Sequence, residues 1–96
     1  MLITKGATIG EVVTIKLITS EEIVGKLKAE TDGHYEIERP LALVMGQGGL
    51  GLQPWLFTVD ADKAIKISKD KVLVIEGTMK AMADSYLSGT SGIALA

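Results

Sequence analysis

The chain has 96 residues, ten of them basic and twelve acidic, for a net charge of −2. That length fits one domain, read as residues 1–96. The absence of cysteine excludes a disulfide scaffold, a thiolate zinc site and a cysteine nucleophile, and a single histidine argues against an all-protein histidine metal site within one subunit. Hydrophobic residues make up 47% of the chain, a large share for a domain of small volume. Part of that surface is expected at a subunit interface, because extended exposed apolar patches usually mark contacts. The start, Met1-Leu2-Ile3-Thr4-Lys5-Gly6, lacks the apolar core of a signal peptide. No window reaches the roughly 18 apolar residues of a membrane span. A cytoplasmic location without membrane contact is expected.

Residues 1–11 read as a short arm bracketed by Gly6 and Gly10. Val12 to Ile18 alternates, with Val13, Ile15 and Leu17 on one face, as in a half-buried strand. After the polar turn Thr19-Ser20-Glu21, Glu22 to Glu30 alternates again. Ile23, Gly25, Leu27 and Ala29 point one way; Glu22, Lys26, Lys28 and Glu30 point the other. Gly25 on the core side permits the sharp bend that a small barrel needs to close.

Asp32-Gly33 is a turn signal. Tyr35, Ile37, Leu41, Leu43 and Met45 then share one parity across a third strand, with Pro40 marking an edge or bulge. Gly46 to Gly51 reads as a connection, Gln53 to Val59 as extended and Asp60-Ala61-Asp62 as a turn. Ala64 to Ser68 is a short strand. Val72-Leu73-Val74-Ile75 is an unbroken apolar run, the pattern of a strand buried on both faces. Thr78 is a candidate N-cap. Met79, Met82, Ala83 and Tyr86 form a helical stripe that packs rather than binds a ligand, and Gly89 stands where that helix would stop. Residues 12–76 therefore predict a mostly β fold, a small, strongly bent five-stranded antiparallel barrel. One C-terminal helix follows over 77–89, then a tail at 90–96.

Val13-Thr14-Ile15-Lys16-Leu17, Ile23-Val24-Gly25-Lys26-Leu27 and Asp32 together resemble the first motif of the Sm/LSm/Hfq family. That motif joins an alternating strand to a glycine-containing strand and a turn aspartate. The family's hydrophobic-asparagine pair falls on His34 and Tyr35. Its second motif falls on Ile65-Lys66-Ile67, Ser68-Lys69-Asp70-Lys71 and Val72-Leu73-Val74-Ile75, with serine and lysines in place of the usual arginine-glycine. Family members commonly carry a helix before the first strand, whereas the helix candidate here comes last. Glu38-Arg39-Pro40, the glycine-rich stretch, Pro54-Trp55-Leu56 and Tyr86 with Thr90-Ser91-Gly92-Ile93 also resemble small Sm-like proteins of tailed phages, including marine cyanophages.

The resemblance implies a homo-oligomeric ring of five, six or seven subunits. In it Ala64–Ser68 of one copy would pair with Val72–Ile75 of the next. It also implies a non-catalytic module that binds single-stranded RNA at the turns facing the pore. The RNA-binding candidates are Asp32, His34, Tyr35, Ser68, Lys69 and Lys71. Tyr35 or His34 would stack on a base, and Lys69 and Lys71 would meet phosphates. Lys63, Lys66, Lys69 and Lys71 place four of the nine lysines within a short stretch. The plainer reading is a set of solvated turn residues with Tyr35 in the core, and the net negative charge weighs against strong RNA affinity. The alternative role is a phage structural or accessory scaffold that binds a phage or host protein.

Other features carry less. Gly46-x-Gly48-x-x-Gly51 matches a dinucleotide fingerprint as text, but Pro54-Trp55 and an extended stretch follow it, not a helix N-terminus. No cofactor is expected. Asp60 and Asp62 alternate as calcium ligands do, without the glycine and distant glutamate of an EF-hand, so no metal is expected there. His34 has no nucleophile or acid arranged around it, so no enzyme is expected. Trp55 and Phe57 share a strand face and are read as packing residues.

Overall fold

The computed structural model describes residues 7–90. Its elements run β1 (Val12–Leu17), β2 (Glu22–Glu30), β3 (His34–Gly46), β4 (Gly49–Pro54), β5 (Ala64–Ser68), a 3-10 turn (Lys69–Lys71), β6 (Val72–Gly77) and α1 (Lys80–Thr90). All pairings are antiparallel. The sheet order is β4-β3-β2-β1-β6, and β5 lies on β3 as well. The mostly β, bent antiparallel architecture with one C-terminal helix is as the sequence predicts.

Among the described residues six strands stand where five were expected: β4 and β5 lie end to end on β3 as one interrupted fourth strand, of which the expected Ala64–Ser68 is only the second half. Leu41–Gly46 pairs with β4, and His34–Glu38 pairs with β5. Between the halves of β3 stand Arg39 and Pro40. Arg39 has φ +48°, in the left-handed region, and Pro40 has no N–H to give a ladder. The partner strand leaves here: Trp55 N–H reaches the Pro40 carbonyl at 3.3 Å, and residues 55–63 loop out before β5 begins. The stretch read as extended from Gln53 to Val59 therefore ends as a strand at Pro54. The glycine-rich connection is shorter than expected, because Gly49 to Gly51 already belong to β4.

The same break changes which way β3 faces. Val24 pairs with Leu41 and Lys26 with Glu38, so β3 carries one more residue than β2 between these pairs, as in a bulge. Ile37 lies in the main core with Val13, Ile15, Leu17, Ile23, Leu27 and Ile67. Leu41 packs on the opposite sheet face, beside Val12, Val24 and Tyr86. The single parity expected for Tyr35 to Met45 is thus switched at the bulge, and Met45 is exposed.

Gly25 sits at this point. A Cβ there would collide with Ile37 Cγ2 and lie 3.0 Å from the Glu38 carbonyl oxygen and 3.3 Å from Pro40 Cα. Glycine lets β2 and the kinked β3 approach. α1 covers the second face through Tyr86 and Ala83. It begins at Lys80, and Thr78 does not serve as its cap; the Thr78 hydroxyl instead hydrogen-bonds the Thr14 hydroxyl at 2.8 Å. Gly89 lies inside the helix, not at its stop. Of the expected arm, residues 1–6 lie outside the described residues, as do 91–96 of the tail.

Among the described residues β6 pairs with β1 alone. Its run Val72–Ile75, read as buried on both faces, leaves Leu73 64% and Val74 50% exposed in the single chain. Among the same residues β5 pairs with β3 alone. Both present an open edge of backbone N–H and C=O groups.

Candidate nucleic-acid interface

Two tight turns meet at one end of the sheet. The β2–β3 hairpin turns over Thr31-Asp32-Gly33-His34, closed by Thr31 N–H to the His34 carbonyl at 2.9 Å. His34 N–H in turn reaches the Thr31 hydroxyl at 3.1 Å. The β5–β6 connection is the 3-10 turn Lys69–Lys71, whose Asp70 N–H is capped by the Ser68 hydroxyl at 3.3 Å. Because β5 pairs with the first half of β3, His34 stands opposite Ser68 and Tyr35 opposite Ile67. A backbone bond joins the turns, from Lys69 N–H to the Gly33 carbonyl at 2.9 Å.

All six candidate residues therefore fall on these two adjoining turns and the strand ends that lead into them. Asp32, His34 and Lys71 are exposed. Tyr35 is half-buried and packs against the main core. Lys69 Nζ stands 5.0 Å from the centre of the Tyr35 ring, within cation–π range. The same ammonium is bound to the Glu30 carboxylate at 2.6 Å. That hydrogen bond raises the Lys69 pKa above the ordinary lysine value. Glu30, the last residue of β2, was not singled out in the sequence; its position next to the hairpin turn was the available signal.

The charges here nearly cancel. Glu30, Asp32 and Asp70 stand against Lys69 and Lys71. A strand or chain laid across the turns would meet an exposed imidazole and one lysine not engaged with Glu30, beside three carboxylates.

The comparisons with known proteins bear on the fold. A solved heptameric archaeal Sm protein, described with reference to the eukaryotic snRNP core, superposes with a TM-score of 0.51. It is 21% identical, over 74% of this chain and 90% of that one. The fold is Sm-like. No family model matches the sequence, and no curated protein matches it. In this Sm-like chain β4 and β5 together line β3, interrupted by residues 55–63.

That cut produces a second feature that the sequence did not announce. An open groove of about 1080 Å³ lies between the loop, β4 and α1, with Pro40, Leu52, Leu56, Phe57, Val59 and Met82 among its walls. Trp55 and Phe57 part company: Trp55 packs against the core, whereas Phe57 is 76% exposed. Pro40, read as an edge or bulge, was the only hint.

The remaining motifs resolve simply. Gly46–Gly49 is the β3–β4 hairpin, with Gly49 at φ +111°, and β4 follows it. Asp60 and Asp62 lie exposed in a turn closed by Lys63 N–H to the Asp60 carbonyl at 3.1 Å. Among the described residues no cluster of three His, Cys, Asp or Glu could hold a metal, and no helix is long and apolar enough to cross a membrane.

Proposed function

We propose that this Sm-like chain forms a homo-oligomeric ring of five to seven subunits that binds single-stranded RNA at its paired turns and carries out no chemistry. The observation that carries the reading is the junction of the two turns. The Lys69–Gly33 bond fixes them side by side, so His34, Tyr35, Lys69 and Lys71 act as one surface. A ring would repeat that surface once per subunit. Stacking on His34 and phosphate contact through Lys71 would supply affinity without sequence-specific base pairing. The open edges of β5 and β6 supply a motive for assembly, since unpaired backbone groups flanked by apolar side chains seek a partner strand. The solved neighbour is a heptamer by its own description.

Native mass measurement paired with filter binding to homopolymer RNAs tests this. A ring that retains poly-U or poly-A, with affinity falling steeply as salt rises, is the expected result. An intact ring that retains none of them at low salt overturns the RNA role.

The near-cancelled charge at the turns favours a second reading, a protein-binding scaffold. The likeness to phage Sm-like proteins at Glu38-Arg39-Pro40 and Pro54-Trp55-Leu56 supports a phage setting. The ring would then work in the host cytoplasm, with a phage or host protein as its partner.

A further inference from the structure

Residues 55–63 leave the sheet at the edge a neighbouring copy would approach. The loop ends at Ala64, the first residue of β5, whose outer edge is unpaired among the described residues. It carries Leu56, Phe57 and Val59, which are 37%, 76% and 40% exposed. A loop tip that bares three apolar side chains is costly in water unless something covers them. The opposite edge of the molecule bears a matching set. β6 ends at Gly77, and Met79 follows at 71% exposure. Lys80 comes next, its side chain 88% exposed.

We infer that this loop is a clasp between copies, in which Phe57 and its apolar neighbours cover the partner's Met79 at the start of the partner's helix. The inference rests on the ring reading and adds a contact to it. Every strand pair in the molecule is antiparallel, and an antiparallel join of β5 to the next β6 continues that pattern. In such a join Ala64 lies toward the partner's Gly77, and Ser68 toward the partner's Val72. Residues just before Ala64 then lie beside residues just after the partner's Gly77. Charge is compatible with this placement: exposed Asp60 and Asp62 on the loop come near the partner's Lys80, an exposed ammonium that also meets Asp84 of its own helix at 3.1 Å. The partner's Met79 closes the mouth of the groove that the loop walls. The cut in the fourth strand thus has a use, extending an otherwise short five-residue strand edge with a side-chain contact.

The natural chain has no cysteine, so paired cysteines report a contact without background. The test uses Phe57→Cys with Met79→Cys in one full-length chain. Both positions are exposed, so folding should survive, and native mass measurement under reducing conditions reads the assembly. Mild oxidation is expected to give a covalent ladder up to the ring size on a non-reducing gel, lost on reduction. A ring of unchanged mass without the ladder overturns the clasp and leaves the ring standing. A monomer mass for the unmodified chain overturns both. A ladder from Phe57→Cys with Lys71→Cys instead would show the strands joined in parallel, and it too overturns the clasp.

Discussion

The Tyr86 hydroxyl donates to the backbone carbonyl of Glu38 at 2.7 Å. Glu38 is the last β3 residue paired to β5, immediately before the left-handed Arg39. One phenol on the terminal helix therefore holds a carbonyl at the point where the sheet changes face. Tyr86 is only 2% exposed, and its burial pushes its pKa up to about 12.

That shift has a sign. The folded state keeps the Tyr86 proton to higher pH than the unfolded chain, whose tyrosine ionises near pH 10. The stabilisation is fully present below about pH 10 and is lost as pH rises toward about 12. Two pKa units correspond to about 2–3 kcal/mol. Tyr86→Phe should flatten the fall in urea midpoint between pH 9 and pH 11.5. At pH 7 it should cost about 1–3 kcal/mol, because the Glu38 carbonyl loses a part-buried donor. Equal alkaline slopes in the two proteins would contradict this.

Gly25→Ala should destabilise the chain by about 1–3 kcal/mol, the usual cost of overpacking a filled site. The new methyl meets Ile37 Cγ2 and the backbone of Glu38 and Pro40, and backbone does not swing aside. Urea unfolding reads the loss; a change within about 0.5 kcal/mol would mean that β3 yields more easily than its packing suggests.

Val74→Asp should disperse the proposed ring. Val74 is half-exposed on β6, away from the core of its own chain. A carboxylate there would not unfold the monomer but would be desolvated in a strand-to-strand join. Light scattering should fall to a single-chain mass while the circular dichroism spectrum keeps its form. An unchanged mass counts against β6 as the joining edge.

At the paired turns, His34→Ala should weaken homopolymer RNA binding by about 1–3 kcal/mol, the worth of one stacked base. Lys71→Ala should make the fall in affinity with salt less steep. Glu30→Gln should act the other way. It removes the carboxylate that holds Lys69 and frees that ammonium for phosphate, so affinity should rise. Equal binding by the Glu30→Gln and natural proteins would show that Lys69 takes no part.

Much of the fold was legible because β1 and β2 each turn an alternating apolar row to the main core. Val13, Ile15, Leu17, Ile23 and Leu27 all enter the main core, as period-two alternation requires. Gly25 was readable as a bend because the core side of a strand seldom omits a side chain without cause. β3 was read less well. Parity carries no warning of a one-residue bulge, so Leu41 and Met45 were placed on the face of Ile37. The expected N-cap failed for a similar reason, since Thr78 had a tertiary partner in Thr14 that local pattern does not reveal. The two candidate turns were identified correctly as turns. Their meeting depends on the pairing of β5 with β3, and the engagement of Lys69 by Glu30 on a side-chain contact between residues 39 positions apart. The exposure of Leu73 and Val74 reverses the reading of their run, because an apolar strand at an open edge and one at the centre of a sheet share the same letters.

Both ends of the 55–63 excursion hang from one strand: Pro54 faces Leu41 and Ala64 faces Glu38. Whatever chain departs at the first point must come back at the second, with the surrounding ladders already fixed on either side. Beyond Trp55, which packs against the core, the barrel is thereby insulated from the length and composition of what is carried there. It is a natural splice point, at which a tag, an epitope or a longer peptide could be housed once per copy without disturbing the register beneath it.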